Sequence, residues 1–314
     1  MSKNINWKKI GLYLLVSFGI SWLVGSLMSL LDIGLNTPHG VAIVGVFYMG
    51  GPAIATFVIQ KFIFKEGFKQ YGWTFNRKAI KWVLLTPLLF LTFILLTFLI
   101  IGLFGNTHLI NEFGQVHLSR ESFLQQYSYI FSSRFPMENI ELPSLPSIPS
   151  IPLFMLLLAG SMILGITLNL PFMFGEEFGW RGLLLKETQP MGFAGSSLFI
   201  GTAWGIWHLP VILMGHNYPH YPYLGIIMMT VFTIAISPLF TYVRMKTRSI
   251  LGACMLHGMI NASSALFLFY VVKGHELFSS IVGIAGILAA ALMCIGIYVF
   301  DNNFIRSFNA GLQD

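Results

Sequence analysis

Residues 82–104 read WVLLTPLLFLTFILLTFLIIGLF, 23 consecutive positions without one ionisable side chain. A helix rises about 1.5 Å per residue, so this stretch covers the roughly 30 Å hydrocarbon core of a bilayer. Seven further apolar stretches surround it, at about 10–31, 41–60, 152–175, 193–214, 223–243, 249–272 and 277–300. They are too long and too unpatterned for barrel strands, which alternate over about 10 residues. The pattern predicts an all-α polytopic membrane protein, a bundle of about eight transmembrane helices folded as one membrane-embedded domain over 1–314. Pro171 and Pro238 interrupt the fourth and sixth stretches, where kinks are expected.

Composition agrees. Of 314 residues, 55% are apolar and 10% charged, against about 25% charged in a soluble domain. Mean hydropathy is +0.75. These values exclude a soluble enzyme, a disordered chain and a nucleic-acid-binding protein. The net charge of +6 is no nucleic-acid signal, because the basic residues lie between the apolar stretches. If the stretches alternate across a membrane, 15 of the 18 Lys and Arg fall on one side, and Arg120, Arg134 and Lys273 on the other. The positive-inside rule then places both termini in the cytoplasm. The bias and the compact loops suit a bacterial plasma membrane.

The first stretch follows a basic N-terminus, as a signal peptide would, but it is 22 residues long and lacks a small-residue cleavage site. It is expected to remain as a helix. Cys254 and Cys294 lie inside apolar stretches and imply no disulfide framework. The long loop, 105–151, is expected to face outward. It ends in the proline run 142–152, which favours extended polyproline backbone.

Ionisable groups inside a membrane are costly and mark function. Only His208 and His257 among the histidines lie within apolar stretches, and among the acids the adjacent pair Glu176 and Glu177 sits at the edge of one. In Gly175-Glu176-Glu177-Phe178-Gly179-Trp180-Arg181, positions 177 and 181 share a helix face, so Arg181 can hold Glu177 ionised while Glu176 points elsewhere. Trp204 stands one turn before His208, and Pro210 makes the backbone there irregular. His257 and Asn261 share a third face. Each motif also has a plainer meaning: a helix-end charge cluster, a hydrogen-bonded core histidine, a His–Asn pair between helices. Together they can converge in an apolar bundle. A carboxylate and two imidazoles activate water with or without a metal ion. If zinc is used, Glu176, His208 and His257 form a reasonable ligand set with a place left for water. No His-Glu-x-x-His stretch exists.

Glu-Glu-x-x-x-Arg, aromatic-x-x-x-His and His-x-x-x-Asn, in this order, resemble the CPBP family: the type 2 CAAX prenyl proteases and the bacteriocin-processing and immunity (Abi) proteins. The motifs cover about 175–265. The resemblance implies an intramembrane endopeptidase acting near the cytoplasmic face on a hydrophobic or lipidated peptide or protein. It implies Glu176 as the base activating water, helped by His208. It places His257 and Asn261 on the oxyanion side, with Glu177 and Arg181 positioning the site. Family members are described both as metalloproteases and as metal-independent glutamate proteases, and that choice stays open. Two rival readings remain: a non-catalytic immunity or peptide-binding protein of the same fold, and a transporter.

Overall fold

A backbone amide in hydrocarbon has no water to bond, so each spanning segment must satisfy its own donors and acceptors. The computed structural model describes residues 4–72, 77–134 and 147–311, and these are overwhelmingly helical. The chain is an all-α, multi-pass integral membrane protein. Five helices are long and apolar enough to cross a bilayer alone: α1 (Trp7–Leu30), α2 (Pro38–Ile63), α3 (Ile80–Asn106), α9 (Pro222–Thr247) and α10 (Ile250–Tyr270). Two bent pairs raise the number to as many as seven. One joins α5 (Ser150–Ile166) to the helical stretch Leu170–Trp207 at 56°, and the other joins α11 (Ile284–Phe300) to α12 (Asn302–Asn309) at 84°. The fourth and fifth apolar stretches of the sequence fall largely within the first pair. This measure therefore gives five to seven spans where the sequence suggests about eight.

The lipid-facing and inward-facing sides are distinct. On α1, Leu15, Leu23 and Leu30 are exposed while Tyr13, Ser17 and Ser21 are buried. On α3, Leu84, Leu88, Leu95 and Leu99 are exposed while Phe90, Phe93 and Ile94 are buried. Inside the bundle, α10 packs against α5, α3 and α9, and α9 also packs against α11 and α7 (Gly192–Trp207). Helices α5 and α10 approach closely: a Cβ at Gly258 would lie 2.1 Å from the Gly165 carbonyl oxygen, and one at Gly165 would lie 2.4 Å from Met259 N. Only glycine lets these backbones touch.

Three expectations are refined. The break near Pro171 precedes the proline, which sits in the first turn of α6 (Leu170–Glu177), where its missing N–H is not needed. Helix α9 continues through Pro238. The segment 105–151 is not a plain loop: Gln115–Val116 (β1) pairs antiparallel with Val271–Val272 (β2), and Arg120–Arg134 forms α4. Ser122 N donates to Ser119 Oγ at the start of α4, and the Phe123 ring packs on Phe269 and Tyr270. Of the proline run, 142–146 lie outside the described residues. Pro149 is extended (φ −58°, ψ 156°) and precedes α5, in which Pro152 occupies the first turn.

Candidate active site

The Glu-Glu-x-x-x-Arg motif spans a change of helix type. Helix α6 ends at Glu177, and Phe178–Leu184 continue as a π-helix. Such turns are concentrated at functional sites. Arg181 Nη1 donates to Glu177 Oε1 at 3.1 Å, with both side chains fully buried. The expected pairing is therefore present. Glu176 turns to another neighbour: Trp204 Nε1 donates to Glu176 Oε2 at 2.8 Å. Among the described residues, Glu176 Oε1 accepts no hydrogen bond. The two adjacent carboxylates thus have different surroundings.

His257, on α10, brings the third motif to the first. Its Nδ1 lies 2.9 Å from Glu177 Oε1. Donation from Nδ1 to this carboxylate oxygen leaves Nε2 as the free ring nitrogen. Glu176 also lies within electrostatic reach of His257 and Arg181. The Arg181 guanidinium sits 4.4 Å from the Trp204 ring centroid and 4.4 Å from that of Phe240. This cation–π sandwich holds Arg181 against Glu177 and places the Trp204 indole over the cluster. Arg181 Nε and Nη2 and Glu177 Oε2 are buried without partners among the described residues.

His208 stands at a helix break. Helix α7 ends at Trp207, and Leu209–Leu213 (α8) follows with Pro210 in its first turn. The irregular backbone expected from Pro210 is present. The Trp207 carbonyl at the break is claimed by two side chains, Tyr48 Oη at 2.6 Å and Trp22 Nε1 at 3.1 Å. His208 Nδ1 lies 2.8 Å from the Trp204 carbonyl oxygen, so it carries the proton there, and among the described residues Nε2 has no partner. Trp204 is 5.9 Å from His208 and 5.2 Å from His257, centroid to centroid.

Asn261 is placed apart. It is exposed, and its Nδ2 donates to Met173 Sδ at 3.5 Å. Glu176, Glu177, Arg181, Trp204, His208 and His257 are thus brought together, and Asn261 lies one helical turn further along α10.

Residues 153–263 match the family model described as "Type II CAAX prenyl endopeptidase Rce1-like". This stretch is Rce1-like. The match contains all three motifs and bears out the CPBP resemblance. No curated protein matches the chain. An Rce1-like stretch points to a membrane protease and to a prenylated or otherwise hydrophobic peptide substrate.

Among the described residues, no group of three His, Cys, Asp or Glu is placed to hold a metal ion. In this arrangement the set Glu176, His208 and His257 does not form a ligand cluster. Glu176 Oε2 is bonded to an indole and the Nδ1 atoms of both histidines to other acceptors, which leaves Glu176 Oε1 and the two Nε2 atoms as the donors a metal would take. Phe240 and Tyr48 escaped the sequence reading. Both contribute through contacts made only on folding, and no motif marks them.

Proposed function

We infer that the Rce1-like stretch is an intramembrane endopeptidase that hydrolyses a peptide bond in a hydrophobic or lipidated substrate. The observation that carries this reading is the division of labour between adjacent carboxylates. Glu177 is engaged by Arg181 and His257, while Glu176 is held through one oxygen by Trp204. A carboxylate fixed at one oxygen and unclaimed at the other is suited to general-base work.

In this mechanism Glu176 takes a proton from water, and the resulting hydroxide attacks the scissile carbonyl carbon. The C–N bond breaks as the proton passes to the leaving amine. His208 assists Glu176 through its unpaired Nε2. Protonated on both ring nitrogens, with Nδ1–H held by Glu177, His257 presents Nε2–H to the developing oxyanion, and Asn261 adds its amide by releasing Met173 Sδ. Hydrogen bonds aimed at a developing oxyanion are among the larger contributions to acyl-transfer catalysis. Glu177 and Arg181 are positioning residues. The active site faces the cytoplasm, where the basic ends of the helices and both termini lie, in a membrane of bacterial plasma-membrane type.

The test is a comparison of peptide termini. Membranes and medium from cells expressing wild type are set against cells expressing Glu176→Gln at equal level, by mass spectrometry. Termini that vanish in the variant establish proteolysis and name the substrate. Identical termini, with a toxin-protection phenotype kept by both, would replace the protease reading with a binding or immunity role.

A further inference from the structure

A cavity of about 680 Å³ opens where the C-terminal end of α9, the loop after α2 and helix α12 meet. Its wall carries Lys69, Lys186, Arg244, Lys246 and Arg248, and Arg181 closes its inner side. Asp301 is the acid among the lining residues, and it is engaged by Lys246 Nζ at 2.6 Å. The cavity therefore carries a strong surplus of positive charge.

Two of its cations are built in rather than displayed on the surface. Arg244 is 8% exposed and Arg181 is fully buried. Arg244 Nε has no partner among the described residues, and neither has Arg181 Nε or Nη2. Burying an arginine with idle donors is costly, and a planar guanidinium is matched to phosphate or carboxylate oxygens. Gly72 is shaped around Arg244: it is left-handed (φ 70°), and a Cβ there would lie 2.1 Å from Arg244 Nη2. Its carbonyl accepts from Ile250 N at 2.9 Å, which ties this loop to the start of α10.

The surroundings favour a ligand that arrives from the membrane. Helix α12 turns 84° from α11 and packs Phe304 and Phe308 against Phe193 while its opposite side stays polar. Trp82 lines the cavity at the first turn of α3, with Lys246 Nζ 4.7 Å from its ring centroid. Aromatic rings at the ends of spanning helices mark the headgroup level.

We propose that this cavity binds the phosphate of an anionic phospholipid headgroup, held by Arg244 with Lys69 and Lys186. Basic pockets between helix ends are suited to such headgroups. The site is separate from the proposed peptide hydrolysis and does not depend on it, although Arg181 borders both.

The experiment measures affinity by calorimetry on the full chain in an uncharged detergent. The probes are short-chain phosphatidylglycerol, short-chain phosphatidylcholine and inorganic phosphate. Phosphatidylglycerol is expected to bind, with phosphatidylcholine at least tenfold weaker. Arg244→Gln is expected to weaken phosphatidylglycerol about tenfold, the loss of one charge-assisted hydrogen bond. Lys69→Gln combined with Lys186→Gln, on less buried positions, is expected to do the same if Arg244→Gln fails to fold. Equal affinity for the two lipids, or unchanged affinity in both variants, overturns the proposal. Inorganic phosphate binding as tightly as phosphatidylglycerol, and displacing it, overturns the lipid source and assigns the cavity to a soluble phosphate.

Discussion

Glu177 Oε1 lies 2.9 Å from His257 Nδ1, across 80 residues of sequence. The same oxygen accepts from Arg181 at 3.1 Å. Arg181, Glu177 and His257 therefore form one buried chain in which a cation fixes a carboxylate and the carboxylate fixes an imidazole. Glu176, the next residue, belongs to a different set of contacts through Trp204. The peptide bond between 176 and 177 thus separates two carboxylates with different partners.

His257→Ala removes the imidazole that Glu177 orients. Cleavage of a prenylated reporter peptide in proteoliposomes is expected to fall by about 100- to 10,000-fold, the usual worth of a positioned acid–base group. The folded yield should persist. Wild-type rates in this variant would remove His257 from the mechanism.

Arg181→Ala leaves Glu177 buried without its cation. Breaking a buried pair from one side costs about 3–5 kcal/mol. The expected outcome is a clear loss of purified yield and thermal stability, together with loss of cleavage. A protein that melts like wild type would show that Glu177 does not need Arg181.

Trp204→Phe keeps a ring over Arg181 but deletes the N–H that holds Glu176 Oε2. A hydrogen bond to a charged group is worth about 1.5–3 kcal/mol. A fall of roughly tenfold or more in kcat, together with a drop of several degrees in melting temperature, is expected. An unchanged kcat would mean that the indole donor does not position Glu176.

Gly258→Ala drives a Cβ to 2.1 Å from the Gly165 carbonyl oxygen. Overpacking of this kind costs about 1–3 kcal/mol. Helices α5 and α10 must part, so melting temperature and cleavage should drop together. Alanine at Gly11, whose Cβ would meet nothing within 4 Å, is the control and should be silent.

Lys9 Nζ lies 3.0 Å from Glu66 Oε2 and 3.0 Å from Glu187 Oε1. The Lys9 hydrogen bond holds the Glu66 carboxyl below its usual range. A lowered carboxylate pKa stabilises the fold above the unfolded value, and that contribution is lost as pH falls through the folded one. Melting temperature should decline below about pH 4, and Lys9→Met should flatten the decline. An identical profile in Lys9→Met would assign the acid sensitivity to another group.

Much of this architecture is legible in the residues. The apolar run 82–104 dictates helix α3 because no other structure satisfies its backbone in lipid, and the i, i+4 spacing of Glu177 and Arg181 anticipates their pairing. Pro210 anticipates the break at His208. Other features are not legible. The helix α4 inside the expected loop depends on Phe123 finding Phe269 and Tyr270. The division of the fourth and fifth apolar stretches depends on where helix α6 resumes after Thr167–Asn169.

Composition and local spacing were sufficient to place the chain in a membrane and to single out three polar motifs, because hydrocarbon penalises every unmatched charge whatever the fold. Partners were decided by packing. His257 meets Glu177, Trp204 meets Glu176, and Phe240 covers Arg181, because hydrogen bonds and cation–π contacts act over a few ångströms and their partners come from separate helices. No spacing along one chain encodes those distances; the close approach of α6 and its π-helical continuation, α7, α9 and α10 creates them.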